Sequence, residues 1–286
     1  MQIRKVAVVG VGNIGIGVVA DLVLHGIAAV GVDVSPEVLS RANAQILDHV
    51  RFAPMLSKSL PRISKGRASE LMTLTTDLAE VASCDFVIEN VTENWNLKRQ
   101  VYESLDRLVP PGICFGANTS CISITQIASA TRRPSEIVGI HLMNPVHLKA
   151  TVEVIRGFHT AEQTIQTLLQ LFAQLGKEAV IVEDMPGFVS NRISHLFMNE
   201  AAFVLQDQVA TPEKIDAIFK KCFGHTMGPL ETADLIGLDT VMRSLDVLYE
   251  SYQDSKYRCC PLLRKLVHAG HLGRKTGRGF YVYPET

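Results

Sequence analysis

Residues 6–24 read Val6-Ala7-Val8-Val9-Gly10-Val11-Gly12-Asn13-Ile14-Gly15-Ile16-Gly17-Val18-Val19-Ala20-Asp21-Leu22-Val23-Leu24. The first four are apolar and mostly β-branched, the composition of a strand buried on both faces. Three glycines at a 1-3-6 spacing follow, Gly10, Gly12 and Gly15. From Gly17 to Leu24 the apolar residues recur with a helical period, and Gly26 marks the end of that helix. Ala28-Ala29-Val30-Gly31-Val32 is a second apolar strand that stops at Asp33. A strand, a glycine turn, a helix and a strand are thus packed into about 30 residues.

Each glycine has a physical task. Gly10 permits the tight turn out of the strand, Gly12 lets the backbone approach a pyrophosphate, and Gly15 lets helix and strand pack closely. Asn13 and Ile14 complete the loop, where a helix N-terminus presents free N–H groups and a positive dipole end to phosphates. Asp33 can accept hydrogen bonds from the ribose hydroxyls of an adenosine, and its charge repels a 2′-phosphate. The segment therefore predicts a Rossmann-type, doubly wound α/β domain that binds NAD in preference to NADP.

Working outward, the helical pattern after Asp33 reaches about His49. Arg51 to Ser69 is polar and basic and is interrupted by Pro54 and Pro61, which predicts a short arm outside the sheet with its helix broken at Pro54. Further strands are expected at 84–89, 113–116, 137–141, 152–155 and 179–182, with helices at 97–108 and 160–175. Met185-Pro186-Gly187 breaks the pattern. Beyond it only helices are expected, at 189–206, 212–219, 232–252 and 261–268. The layout predicts a cofactor domain over residues 1–185 and an all-helical C-terminal domain over 186–286, with ligands at the carboxyl ends of the strands.

Composition narrows the class. With 286 residues, a formal net charge of −1 and 47% hydrophobic residues, the chain is neither disordered nor a supercharged nucleic-acid binder. The six cysteines include no C-x-x-C pair, and Cys259-Cys260 is vicinal. That suits buried thiols in the cytoplasm better than a disulfide framework or a zinc site. Met1-Gln2-Ile3-Arg4-Lys5 leads straight into the first strand, with no signal-peptide pattern, and no run of about 20 apolar residues predicts a membrane span.

Several polar residues stand where this fold presents chemistry. Asn118-Thr119-Ser120 follows one predicted strand, His141 ends another and precedes Asn144-Pro145, Glu153 lies within a third, and Asn191 opens the first helix after Pro186-Gly187-Phe188. With Thr151-Val152-Glu153-Val154, Gly228-Pro229, Asp234-x-x-Gly237-Leu238-Asp239 and Gly273-Arg274-Lys275-Thr276-Gly277-x-Gly279-Phe280-Tyr281, these motifs run nearly the whole length. In this order they resemble the L-3-hydroxyacyl-CoA dehydrogenases, and most closely the bacterial 3-hydroxybutyryl-CoA dehydrogenase branch.

The resemblance implies NAD-dependent, reversible oxidation of a 3-hydroxyacyl thioester. His141 matches the catalytic histidine and Glu153 the carboxylate that holds it. An imidazole is a suitable general base for an alcohol whose proton must leave as hydride is lost. Ser120 and Asn191 match the polar pair that contacts the substrate. Glu93 and Lys98 match residues at the nicotinamide ribose, Asn118 and Asn144 lie near the nicotinamide, and Lys275 matches a late lysine that reaches the cofactor. The resemblance also implies a homodimer formed through the helical domain, with no metal, nucleic-acid or membrane partner.

One stretch departs from the family. The serine and lysine that hold the nucleotide tail of CoA fall on His49 and Leu56 here, although Arg51, Lys58, Arg62, Lys65 and Arg67 keep the arm basic. Arg51-Phe52-Ala53-Pro54 and Glu89-Asn90-Val91-Thr92-Glu93-Asn94 look like the branch that serves polyketide assembly lines. An acyl-carrier-protein thioester, carrying a glyceryl group toward a methoxymalonyl extender unit, is therefore the alternative to acyl-CoA.

Overall fold

In the computed structural model, which describes residues 2–284, the amino-terminal part is built on one sheet. Its strands are β1 (Lys5–Val9), β2 (Ala28–Val32), β3 (Met72–Thr75), β4 (Phe86–Glu89), β5 (Cys114–Asn118), β6 (Ile137–His141), β7 (Thr151–Arg156) and β8 (Glu178–Glu183). They lie in the order β3-β2-β1-β4-β5-β6-β7-β8. All neighbours are parallel except β6 and β7, which run antiparallel. The strand order reverses direction between β1 and β4, and the glycine loop leaves the carboxyl end of β1 there. A crevice at such a switch point is where open α/β sheets bind ligands.

Helices α1 (Asn13–Leu24), α2 (Pro36–Leu56), α3 (Lys65–Glu70), α4 (Trp95–Leu108), α5 (Ile124–Ala128) and α6 (Glu162–Gln174) accompany the sheet. α1 is buried along nearly its whole length, from Gly15 to Leu24. Its close approach to β1 needs a glycine: a Cβ added at Gly15 would lie 2.0 Å from the Gly10 carbonyl oxygen. Val6, Val8, Val19, Leu22 and Phe86 have no exposed surface and form the centre of this core, each contributing about 1.5–3 kcal/mol by burial.

A buried ion pair ties α1 to the loop that follows β6. Asp21 Oδ2 lies 3.0 Å from Lys177 Nζ. The same ammonium donates to the carbonyls of Val146 and Lys149, at 2.8 and 2.7 Å. The loop after His141 is thus held from two elements at once.

The chain divides between Met185 and Pro186 into two compact units. The second unit contains α7 (Ser190–Gln206), α8 (Pro212–Cys222), α9 (Pro229–Ile236), α10 (Leu238–Tyr252) and α11 (Pro261–His268). Its own core includes Met198, Leu230, Leu238, Leu245 and Leu263.

Three expectations are corrected. Pro54 does not break α2, which continues to Leu56; a proline in the last turn removes one helical bond where the helix is ending anyway. β3 is a strand the sequence pattern does not announce, because three of its residues are only partly buried, Thr73 is exposed, and there is no strong apolar run. The helix expected at 232–252 is two helices, since Gly237 adopts φ 103°, a conformation that ends one helix before the next begins.

Candidate active site

The candidate base and its partner come from the one antiparallel pairing in the sheet. His141 is the last residue of β6 and lies directly opposite Glu153 of β7. Side chains of paired residues share a face, so the imidazole and the carboxylate meet: His141 Nδ1 lies 2.9 Å from Glu153 Oε2. Both side chains are more than nine-tenths buried. An ionised carboxylate only accepts. In the neutral imidazole this pairing puts the proton on Nδ1 and makes Nε2 the acceptor a base requires.

Asn118, at the end of β5, steadies this arrangement from the other side. Its Oδ1 accepts from the Leu142 N–H at 3.2 Å, the residue next to His141. Beneath it lies an ion pair in which neither side chain has any exposed surface, Lys98 Nζ to Glu89 Oε1 at 2.8 Å. Lys98 also donates to Glu89 Oε2 at 2.9 Å and to the Asn118 carbonyl at 2.8 Å. Burial pushes the Glu89 carboxyl above its ordinary range, opposed by the Lys98 ammonium.

The ribose contact expected of Lys98 is a proposal; in the structure its ammonium is held by both oxygens of Glu89 and by the Asn118 carbonyl. An ammonium has three protons, and it meets two partners here, the Glu89 carboxylate and the Asn118 carbonyl. Glu89 was not singled out in the sequence. The signal was available: on α4, Lys98 shares its buried face with Tyr102 and Leu105, spaced four and three residues apart, so an internal acidic partner is required.

Ser120 sits in an exposed loop organised by Glu93. Oε1 of Glu93 accepts from the Thr119 hydroxyl and from the backbone N–H groups of Ser120 and Cys121, the latter two at 3.1 Å. The far end of the loop is fastened by Asp184, which accepts from Ser123 Oγ, the Ile124 N–H and the Thr125 N–H. Both carboxylates act as loop anchors.

Cys121 is not a nucleophile in this setting. Burial, with Glu93 beside it, pushes its thiol up to about 12. Iodoacetamide at about pH 8, where reactivity follows the thiolate fraction, is expected to label the exposed Cys222 well before Cys121. Peptide mapping that found Cys121 labelled first would contradict this.

The cofactor loop fits a dinucleotide. Gly10 takes φ 89° to leave β1. A Cβ added at Gly12 would meet nothing within 4 Å, so the backbone there borders open space at the N-terminus of α1. Asn13 and Ile14 form the first turn of α1, where the N–H groups have no intrahelical acceptor. Asp33 holds the loop, its Oδ2 accepting from the Val11 N–H at 2.9 Å and its Oδ1 from Ser35 N–H at 3.2 Å. An adjoining cavity of about 320 Å³ is bordered by Gly12 and Asp33 and by the apolar Val34, Leu78, Leu97 and Val101. This combination of apolar walls, a carboxylate and a phosphate-binding turn suits an adenosine diphosphate moiety.

The remaining candidates take separate places. Asn144, in the loop after His141, is exposed. Asn191 lies in the first turn of α7 in the second unit. In that unit Lys275 pairs with Asp239, its side chain half-exposed. On the arm, the ring of His49 packs 4.8 Å from that of His147, and Leu56 is exposed. A cavity of about 340 Å³ nearby is lined by Arg51, Arg62 and Lys65 among others.

With fold and geometry in hand, the comparisons agree on one class. The family description "3-hydroxyacyl-CoA dehydrogenase, NAD binding domain" matches residues 5–185, and "3-hydroxyacyl-CoA dehydrogenase, C-terminal domain" matches residues 187–283. The chain belongs to the 3-hydroxyacyl-CoA dehydrogenase family, whose cofactor is NAD. A 3-hydroxybutyryl-CoA dehydrogenase of Bradyrhizobium diazoefficiens is 43% identical over 98% of this chain and 96% of the relative. One from Clostridioides difficile is 39% identical over 98% and 99%. Among solved structures, an (S)-3-hydroxybutyryl-CoA dehydrogenase from Ralstonia eutropha superposes with a TM-score of 0.94 at 38% identity, covering 99% of this chain and 100% of that one. These relatives are named for CoA thioesters, so the carrier-protein alternative is not favoured. Among the described residues no helix is long and apolar enough to cross a membrane.

Proposed function

We propose that the protein catalyses the reversible, NAD-dependent oxidation of 3-hydroxyacyl-CoA, with 3-hydroxybutyryl-CoA as the leading substrate. The observation that carries this reading is the His141 Nδ1 to Glu153 Oε2 contact of 2.9 Å at the carboxyl end of β6, in a chain whose relatives are named for that substrate. As the 3-hydroxyl is oxidised its proton passes to His141 Nε2, and Glu153 stabilises the imidazolium that forms. Bound NAD supplies the acceptor for the hydride that leaves C3. Gly10, Gly12, Asn13, Ile14 and Gly15 would hold its pyrophosphate and Asp33 its adenosine ribose.

Ser120 is the candidate donor to the 3-oxygen in the first unit. Asn191 is retained as a substrate-contacting residue through its match to the family motif. The cations Arg51, Arg62 and Lys65 around the arm cavity suit the phosphates of CoA. Exposed apolar side chains on the helical unit, including Ile193, Ile218 and Phe223, support pairing of two copies there. The free cysteines suit the cytoplasm.

Purified full-length protein is expected to reduce NAD when given (S)-3-hydroxybutyryl-CoA, followed by NADH absorbance, and to use NADP far less well. No turnover with NAD and this thioester would reject the proposal.

A further inference from the structure

We infer that the His49–His147 contact is a pH-sensitive clasp: with both imidazoles neutral it holds the arm helix α2 against the loop that follows His141, and on acidification it lets the arm go. Its consequence for substrate binding rests on the proposal that the arm cavity takes the phosphates of CoA. Both rings belong to the cofactor unit. His49 lies on α2, and its ring packs 4.8 Å from that of His147, with the planes inclined at 38°. His147 is only 6% exposed. Nδ1 of each ring is buried and has no hydrogen-bond partner among the described residues.

A neutral imidazole can leave Nδ1 as a bare lone pair, whereas an imidazolium carries an N–H on both nitrogens. Neither Nδ1 meets an acceptor, so protonating either ring would bury an unpaired donor on a charged group. Protonating both would set two cations ring to ring. Burial holds both imidazoles below the ordinary histidine range, and His49 adds to the effect at His147. The neighbouring charges give little relief. Asp48, next to His49 on α2, favours its protonated form. On α1, Asp21 favours a proton on His147, and the Lys177 ammonium opposes it. The Asp21 carboxylate is already shared between Lys177, at 3.0 Å, and His25, at 3.4 Å.

The loop side of the clasp is fixed. Lys177 holds the carbonyls of Val146 and Lys149, on either side of His147. Against α1 there is no slack, since a Cβ added at Gly17 would lie 3.1 Å from Val146 Cβ. Movement therefore falls to the arm, whose end is exposed at Met55 and Leu56. Water has a way in: a cavity of about 60 Å³ reaches His147 beside Ser57 and Ser59, the residues that follow α2. Because the closed arm holds both imidazoles below the free histidine value, it is favoured above about pH 6.5 and loses stability as the pH falls below that. If closing releases one proton, the affinity of any ligand that needs the closed arm falls by up to about tenfold per pH unit there.

The test uses the full chain, the variant His49→Phe and the double variant His49→Phe/His147→Phe, which keep the ring contact and remove the titration. Hydrogen exchange of peptides spanning residues 46–56, corrected for the intrinsic rate at each pH, reports the arm. Between pH 7.5 and pH 5.5 the unmodified protein is expected to lose protection there, while peptides over β1 and β4 keep theirs. The double variant should keep its arm protection at both pH values. Calorimetry with CoA is expected to give affinities within about threefold of one another at pH 7.5, and at pH 5.5 an affinity about tenfold tighter in the double variant than in the unmodified protein. The terminal phosphate of CoA titrates near pH 6 as well, but it does so equally with every variant, so the difference isolates the histidines.

Arm protection in the unmodified protein that is the same at both pH values, or that falls together with the whole sheet, overturns the inference. So does a double variant whose arm protection or CoA affinity falls as steeply as that of the unmodified protein. Should the double variant fail to fold, the single variant at the less buried His49 and the unmodified protein still give the exchange result. If CoA does not bind the unmodified protein at pH 7.5, the reading of the arm cavity fails instead, and hydrogen exchange still decides the clasp.

Discussion

Replacing His141 with Gln is expected to lower kcat by about 10²–10⁴-fold, the usual contribution of a positioned general base. Glutamine keeps the polar, planar character of the side chain and can still hydrogen-bond Glu153, so the buried carboxylate is not stranded. It cannot take up the alcohol proton. The Asp33 loop and its cavity do not involve β6, so NADH binding, followed by Trp95 quenching, should be unaffected. A variant that turned over at the unmodified rate would remove His141 from the mechanism. One that lost NADH affinity as well as kcat would point to disruption of the sheet instead of loss of a base.

The second large effect is on cofactor choice. Asp33→Ser is expected to reduce kcat/KM for NAD by about 10–100-fold, the loss of one charge-assisted hydrogen bond of about 1.5–3 kcal/mol. The same change should raise kcat/KM for NADP, since the carboxylate that opposes a 2′-phosphate is gone. Serine can still accept a bond from the Val11 N–H that Asp33 now holds at 2.9 Å, so the glycine turn should survive. The measurement is a pair of kcat/KM values, and an unchanged NAD to NADP ratio would remove Asp33 from ribose recognition.

Legibility differed along the chain for physical reasons. The glycine turn was readable because its requirements are local: Gly10 needs positive φ and Gly15 must tolerate a carbonyl where a Cβ would sit. The extent of α2 was misread at Pro54, because the cost of a proline depends on how many helical turns follow it. The division of the 232–252 segment turned on one backbone angle at Gly237, which composition does not show. Lys98 carries two signals. Matched to a motif it read as a cofactor ligand. Its helical face, shared with Tyr102 and Leu105, also places it among the buried residues of the helix.

By itself, the sequence determined the cofactor class and the outline of the cofactor domain, since phosphate binding at a helix N-terminus is written in contiguous residues whose backbone freedom is a property of each residue alone. It also carried the ordered motifs that mark the family. Tertiary structure decided what depends on register between distant segments. His141 meets Glu153 because β6 and β7 run antiparallel with those two residues opposite. Lys98 meets Glu89 and Asn118 because α4 lays its buried face over the ends of β4 and β5. A side chain's role follows from which groups it meets once water is excluded, and that is set by packing between segments that the chain order leaves far apart.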